Sequence, residues 1–172
     1  MIVLAMHGAP PRDFPKDEMY ELFNLHSKIE SKSNDLENEL KDRLEYLETK
    51  MKNWKRNEQN DPYYIGSITI ANNLQRITKK KVFVGFNEFC SPTIQEAIKQ
   101  AIDKGAERIF VVTTMLTRGG DHAENDIPKE IEKAKQKYPN VDIHYIWPLN
   151  VPAIAQFLHK EINNYTNKII SS

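Results

Sequence analysis

The chain has a single cysteine, Cys90, in 172 residues, which excludes an intrachain disulfide and with it a secreted fold stapled by bridges. It has only six glycines, and they form neither a Walker loop nor a dinucleotide fingerprint, which disfavours nucleotide chemistry. There is no nucleophile elbow and no recognisable Cys-His pair. Excess charge of either sign is missing too: 24 Lys plus Arg balance 24 Asp plus Glu, so no broad electrostatic footprint points to nucleic acid or an anionic membrane. No apolar run approaches transmembrane length, and the N-terminal IVLAM is too short for a signal-peptide core, so a cytoplasmic protein is expected.

What is present is alternation. Residues 2–6 are continuously apolar and run into His7-Gly8, as a buried parallel strand entering a loop would. The prolines of APPRDFP make that loop rigid. Residues 16–58 hold no Gly or Pro and are rich in Lys, Glu, Asn and Leu. Within them Leu40, Leu44, Leu47, Met51 and Trp54 follow the spacing of a helix that packs on another helix, and Tyr20, Phe23, Leu25 and Ile29 supply a less regular face. SKSND at 31–35 would divide this segment into a hairpin, with Asn34 as N-cap and Glu37 closing a capping box; a single long helix competes with that reading. The segment reads as a solvated, packed arm, and a homodimer mate is the simplest cover for its heptad face.

After the loop RNEQNDP, a helix is expected around 66–79, strands at 82–89, 108–116 and 141–147, and helices over 123–137 and 151–165. TIQEAIKQAIDKG places Ile94, Ala97, Ile98, Ala101 and Ile102 on one stripe, with Pro92 in its first turn and Gly105 as its cap. The fold class is therefore α/β: a single domain over 1–172, a parallel sheet of about four strands flanked by helices, and an inserted helical arm over 16–60. Ligands of such sheets bind beyond the carboxyl ends of the strands. His7, Glu88 and the loop bearing His122 all fall on that edge. Two imidazoles and a carboxylate there form a ligand set for a first-row divalent metal, or acid/base groups beside one. Cys90 reads as a small buried residue that could line the site, and His26, His144 and His159 as surface or satisfied histidines. Asp121 and Glu124 form a plausible capping pair for the helix after His122.

The order of these motifs resembles that of the small class II chelatases, which insert cobalt, nickel or ferrous iron into sirohydrochlorin. The resemblance rests on His7-Gly8 followed by Arg12-Asp13, on Glu88-Phe89 with Pro92, on GAERIFVVTTML, on Gly120, His122, Asp126, Ile127 and Pro128, and on YPNVDIHYIWPL. It covers the first dozen residues and most of 82–165. It implies a chelatase-like, flavodoxin-like half with His7, His122 and Glu88 as metal ligands and catalytic groups. Arg12, with Arg118, would pair with substrate carboxylates, and Gly119-Gly120 would let a flat macrocycle approach backbone. The implied activity is that of a metal-inserting lyase of tetrapyrrole (cobalamin-type) biosynthesis. Its metal is a substrate, no organic cofactor is expected, and a homodimer supplies the second lobe. The alternative is a non-catalytic metal or tetrapyrrole carrier. The chain departs from the pattern at Ala9, at Pro10-Pro11, at Asn150, where a left-handed residue is expected, and in the length of the segment around 16–60.

Overall fold

The computed structural model describes residues 1–31 and 37–170. Strand β1 (Ile2–Met6) is buried along its whole length, as its unbroken apolar run requires. Helices α1 (Lys16–Ser31) and α2 (Glu37–Lys52) follow, then α3 (Pro62–Thr78), β2 (Val82–Phe86), α4 (Ile94–Asp103) and β3 (Arg108–Thr113). A π-helical turn, His122–Asp126, leads directly into α5 (Ile127–Lys137), and β4 (Asp142–Tyr145) and α6 (Val151–Ile170) complete the chain. The four strands are all parallel in the order β2-β1-β3-β4. Because β2 lies on one side of β1 and β3 on the other, the connections diverge at the carboxyl end of β1, which makes that point the crevice of the sheet.

One face of the sheet packs on α4 and α5, where Val3, Ala5, Ile98, Ile109, Val111, Ile127 and Ile131 form the main core. On the other face, Leu4, Met6, Val84 and Phe86 meet Ala71 of α3. Helix α4 carries the apolar stripe seen in the sequence, but Pro92 precedes it: Thr93 is the N-cap and closes a capping box with Glu96. Gly105 takes φ +83 just beyond its end, where a Cβ would be strained. Gly85 is required for packing, since a Cβ there would lie 2.7 Å from the Ile94 Cα.

Two helices occupy the segment between β1 and α3. The heptad face of α2 is covered from within the same chain: Leu47 and Met51 are buried against Phe14, Leu22 and Leu25, with Leu40, Leu44 and Trp54 around them. A homodimer mate is therefore not what covers it. Tyr20 is 63% exposed, and Leu22 takes the inward place instead. Glu21 with Arg43 and Glu18 with Lys50 tie α1 to α2 along the outer face. The cap expected at Asn34 with Glu37, and the side chain of Ile29, lie outside the described residues. Asn150 is not left-handed: its side-chain oxygen accepts from the Ala153 N–H at 2.9 Å and caps α6. No described helix is long and apolar enough to cross a membrane.

Candidate metal centre

The register of the sheet brings the expected residues together. Met6 pairs with Phe86, and the ladder continues past both strands: the Asn87 N–H donates to the Met6 carbonyl (2.8 Å) and the Glu88 N–H to the His7 carbonyl (2.9 Å). His7 and Glu88 thus leave adjacent strands side by side. Gly8 makes this possible. It sits at φ +99, and a Cβ on it would fall 1.9 Å from the Glu88 carbonyl oxygen. His122 arrives from the far side, as the first residue of the π-helical turn that follows β3 and its loop.

One ligand atom each from His7, Glu88 and His122 lies within 4.8 Å of the other two. His7 Nε2 is 3.9 Å from Glu88 Oε2, and the two imidazoles meet edge to face with centroids 4.4 Å apart. A tetrahedral first-row ion with ligands at about 2.1 Å needs them about 3.4 Å apart. The set is slightly more open than that, so modest side-chain rotation closes it on an ion. An ion held by these three would keep a further coordination position free, as catalytic rather than closed structural sites do.

Hydrogen bonds select the tautomers. His7 Nδ1 is 2.8 Å from the Gly8 carbonyl, which only accepts, so Nδ1 carries the proton and Nε2 of the neutral ring holds a lone pair. His122 Nδ1 is 2.7 Å from Asp126 Oδ2 and 3.0 Å from the Asn87 amide nitrogen; the shorter contact, to a carboxylate that only accepts, favours the proton on Nδ1 and the lone pair on Nε2. The Asn87 amide nitrogen donates to the same carboxylate oxygen at 3.4 Å. The hydrogen bond from His122 holds the Asp126 carboxyl below the usual range, with Asn87 adding to the effect and desolvation opposing it. A carboxylate behind a ligating imidazole fixes the ring and raises its basicity.

Asp126 and Asn87 are the site residues that sequence reasoning did not assign. The signal for Asp126 was the i, i+4 spacing from His122, which puts both on one helical face. That face exists because of the π-helical turn: the Ile127 N–H reaches back five residues to the His122 carbonyl. The capping pair expected there does not form. Asp121 has helical backbone and makes no side-chain cap, while Glu124 faces Arg118 at 3.8 Å. Tyr63 was also unassigned; its hydroxyl oxygen accepts from the His7 backbone N–H at 3.1 Å.

The other expected residues are not drawn into the set. Arg12 and Arg118 have exposed side chains, and Gly119 and Gly120 are exposed on the loop before His122, Gly119 at φ +85. Cys90 is buried beneath the site, where desolvation pushes its thiol pKa up, away from reactivity. His26 pairs with Glu48 and His144 with Asp142. A cavity of about 490 Å³ opens beside Glu88, walled by Phe23, His26, Glu48, Lys52 and Phe89, so the hairpin of α1 and α2 also lines space next to the centre.

Among curated proteins, the chain is 40% identical over 81 residues to the sirohydrochlorin ferrochelatase of Priestia megaterium, covering 46% of this chain and 30% of that one. It is 50% identical over 48 residues to the sirohydrochlorin cobaltochelatase of Methanopyrus kandleri, covering 28% and 33%. The chain thus spans about a third of the length of these two relatives. Against the sirohydrochlorin cobaltochelatase of Sulfurisphaera tokodaii, identity is 36% over 91 residues, covering 52% of this chain and 72% of the relative. A solved CbiX protein of Marinobacter aquaeolei is similar over 97% of both chains at 17% identity and a TM-score of 0.47. The CbiX family pattern matches residues 61–165, a stretch that includes Glu88, His122 and Asp126. With that match over more than half of its length, the chain belongs to the CbiX family.

Proposed function

We propose that this protein is a sirohydrochlorin chelatase, a metal-inserting lyase acting on cobalt, nickel or ferrous iron, with His7, Glu88 and His122 as the metal-holding and catalytic groups. The observation that carries the reading is the convergence of their ligand atoms within 4.8 Å at the crevice of the sheet. The names of the relatives point to the same substrate.

Insertion is a charge-balanced exchange: one divalent ion enters the macrocycle as two pyrrole N–H protons leave. Nε2 of each neutral imidazole is free to hold the ion or to take a proton, and the Glu88 carboxylate supplies charge for the cation. Partly exposed imidazole and carboxylate ligands suit an ion that must be surrendered. The cavity beside Glu88, with Phe23 and Phe89 on its wall, lies within the size range of small-molecule sites and offers apolar surface to a ring edge. Arg12, Gly119 and Gly120 stand on exposed loops, where they meet the substrate's carboxylates and face. The buried free thiol of Cys90 fits a reducing cytoplasm.

A homodimer forms part of the proposal. None of the side chains of α6 is buried, and Val151, Ile154, Leu158, Ile162, Tyr165 and Ile169 follow spacings of three and four along it. Such a stripe needs a partner helix, and a second copy also supplies the opposite wall of a macrocycle cleft.

The test is an anaerobic absorbance time course with sirohydrochlorin and each metal, comparing wild type with His122→Ala. Insertion faster than the protein-free rate, lost in the variant, supports the proposal. A spectral shift without acceleration makes the protein a carrier, and no shift refutes both.

A further inference from the structure

The guanidinium of Arg56 is almost wholly buried, at 5% side-chain exposure, and its partner Asp61 is at 1%. A guanidinium has five N–H donors, and here all five directions are used. Nη1 donates to the Ala9 carbonyl (2.6 Å) and to Asp61 Oδ2 (2.5 Å). Nη2 donates to the Met51 carbonyl (2.8 Å) and the Phe89 carbonyl (2.5 Å), and Nε to the Trp54 carbonyl (3.2 Å). Two of these acceptors are telling: Ala9 is two residues after His7, and Phe89 directly follows Glu88. The remaining bonds bind the same group to the end of α2 and to the N-cap of α3, since Asp61 Oδ1 also accepts from the Tyr64 N–H.

We infer that Arg56 is a positioning residue for the metal centre, one that sets the separation of His7 and Glu88 by clasping the backbone just beyond each and anchoring both to the α1–α2 hairpin. The inference rests on the reading of His7, Glu88 and His122 as the metal-holding set. Neither loop has regular structure at this point and the ladder between His7 and Glu88 ends there, so the guanidinium holds both chains together beyond it, beside the bonds from the Cys90 N–H to the Glu88 carbonyl and from the Phe86 N–H to the Pro92 carbonyl. Neighbouring bonds reinforce the same union: the Ser91 N–H donates to the Lys52 carbonyl, and Trp54 and Asn60 both donate to the Asp13 carboxylate. The C-terminal end of α2, rather than the packed interior of the hairpin, is thereby tied to the site. Lysine cannot replace arginine here, because an ammonium keeps the charge opposite Asp61 but lacks the planar fork that reaches Ala9 and Phe89 together.

The experiment compares cobalt(II) affinity and the cobalt ligand-field spectrum of wild type, Arg56→Lys, Asp61→Asn, His7→Ala and Leu47→Ala. Leu47→Ala removes a core side chain from the hairpin and serves as the purely structural control. Arg56→Lys is expected to keep wild-type far-UV circular dichroism, bind cobalt about tenfold more weakly and shift the spectrum. Asp61→Asn, which keeps an oxygen for Tyr64 but loses the charge that anchors the guanidinium, is expected to weaken binding between two- and tenfold and is the readout if Arg56→Lys does not fold. Leu47→Ala is expected to lose stability while keeping affinity and spectrum. Wild-type affinity and spectrum in both Arg56→Lys and Asp61→Asn, or an equal loss in Leu47→Ala, would overturn the inference while leaving the metal reading intact. Wild-type protein that binds no cobalt, or a His7→Ala variant that binds it equally well, would overturn the metal reading and this inference with it.

Discussion

Replacing Asp126 by Asn tests whether the second carboxylate of the site acts through His122. The change is nearly isosteric, so the π-helical turn and the packing of Ala123 and Ile127, both fully buried, should survive it. What changes is the group facing His122 Nδ1 at 2.7 Å. The native carboxylate can only accept, which forces the proton onto Nδ1 and the lone pair onto Nε2. An amide presents either its oxygen or its NH2. In the second orientation the imidazole proton moves to Nε2 and the ligand atom is lost. In the first, the tautomer is kept but the charge that makes the ring more basic is gone. Outer-shell carboxylates of this kind contribute about 10–100-fold to metal affinity, or about 1.4–2.7 kcal/mol. Cobalt(II) titration at pH 7.5, with circular dichroism to verify the fold, reads the effect directly. Binding within twofold of wild type, while His122→Ala abolishes it, would refute the argument that Asp126 orients the ligand. The depressed pKa adds a sign. Because the folded state holds this carboxyl below its unfolded value, its contribution to stability is present above about pH 4 and is lost as pH falls through the folded pKa. The stability difference between wild type and Asp126→Asn should therefore narrow on acidification, and a difference that widens below pH 4 would contradict the assignment.

Gly8→Ala should cost more than the roughly 1–2 kcal/mol of left-handed backbone alone, because its Cβ would collide with the Glu88 carbonyl; urea unfolding measures the loss, and cobalt affinity should fall with it. Leu47→Ala should destabilise by about 2–5 kcal/mol, since the side chain is fully buried between the hairpin helices, and a shift of the denaturant midpoint below that range would indicate a loosely packed hairpin. The Tyr145 phenol, pushed up to about 12 by burial with the Glu124 charge adding to it, donates to the Ala123 carbonyl at 2.9 Å. In a spectrophotometric titration one phenol should ionise at about 12, and stability should fall as pH rises past about 10, where the unfolded Tyr145 phenol has already lost its proton. Leu158→Glu with Ile162→Glu on α6 should shift a dimer to monomer in sedimentation velocity without changing the circular dichroism, whereas an unaffected sedimentation coefficient would remove α6 from the interface.

Much of the architecture is local information, and local information is legible. The apolar run 2–6, the stripe of α4 and the loop RNEQNDP follow from strand and helix periods and from breaker residues, because each is decided by which side chains can face the same way over a few turns. The same reasoning located His7, Glu88 and His122 at carboxyl ends of strands. Element ends were less legible: β3 stops at Thr113 and α6 continues to Ile170, since tertiary contacts and caps, rather than composition, end an element.

The sequence by itself determined the α/β class, the three candidate ligand residues His7, Glu88 and His122, and the edge of the sheet on which they stand. Only the tertiary structure decided that they meet, because that depends on β1 lying between β2 and β3 and on a register that pairs Met6 with Phe86. Only it decided that α1 covers the heptad face of α2, that Asp126 stands behind His122, and that Arg56, inside an apparent loop, clasps Ala9 and Phe89. The physical reason is that periodicity reports the face a residue presents, whereas hydrogen bonds between residues 33 and 47 positions apart form only after the whole chain has closed, and no local pattern records which carbonyl a buried donor will reach.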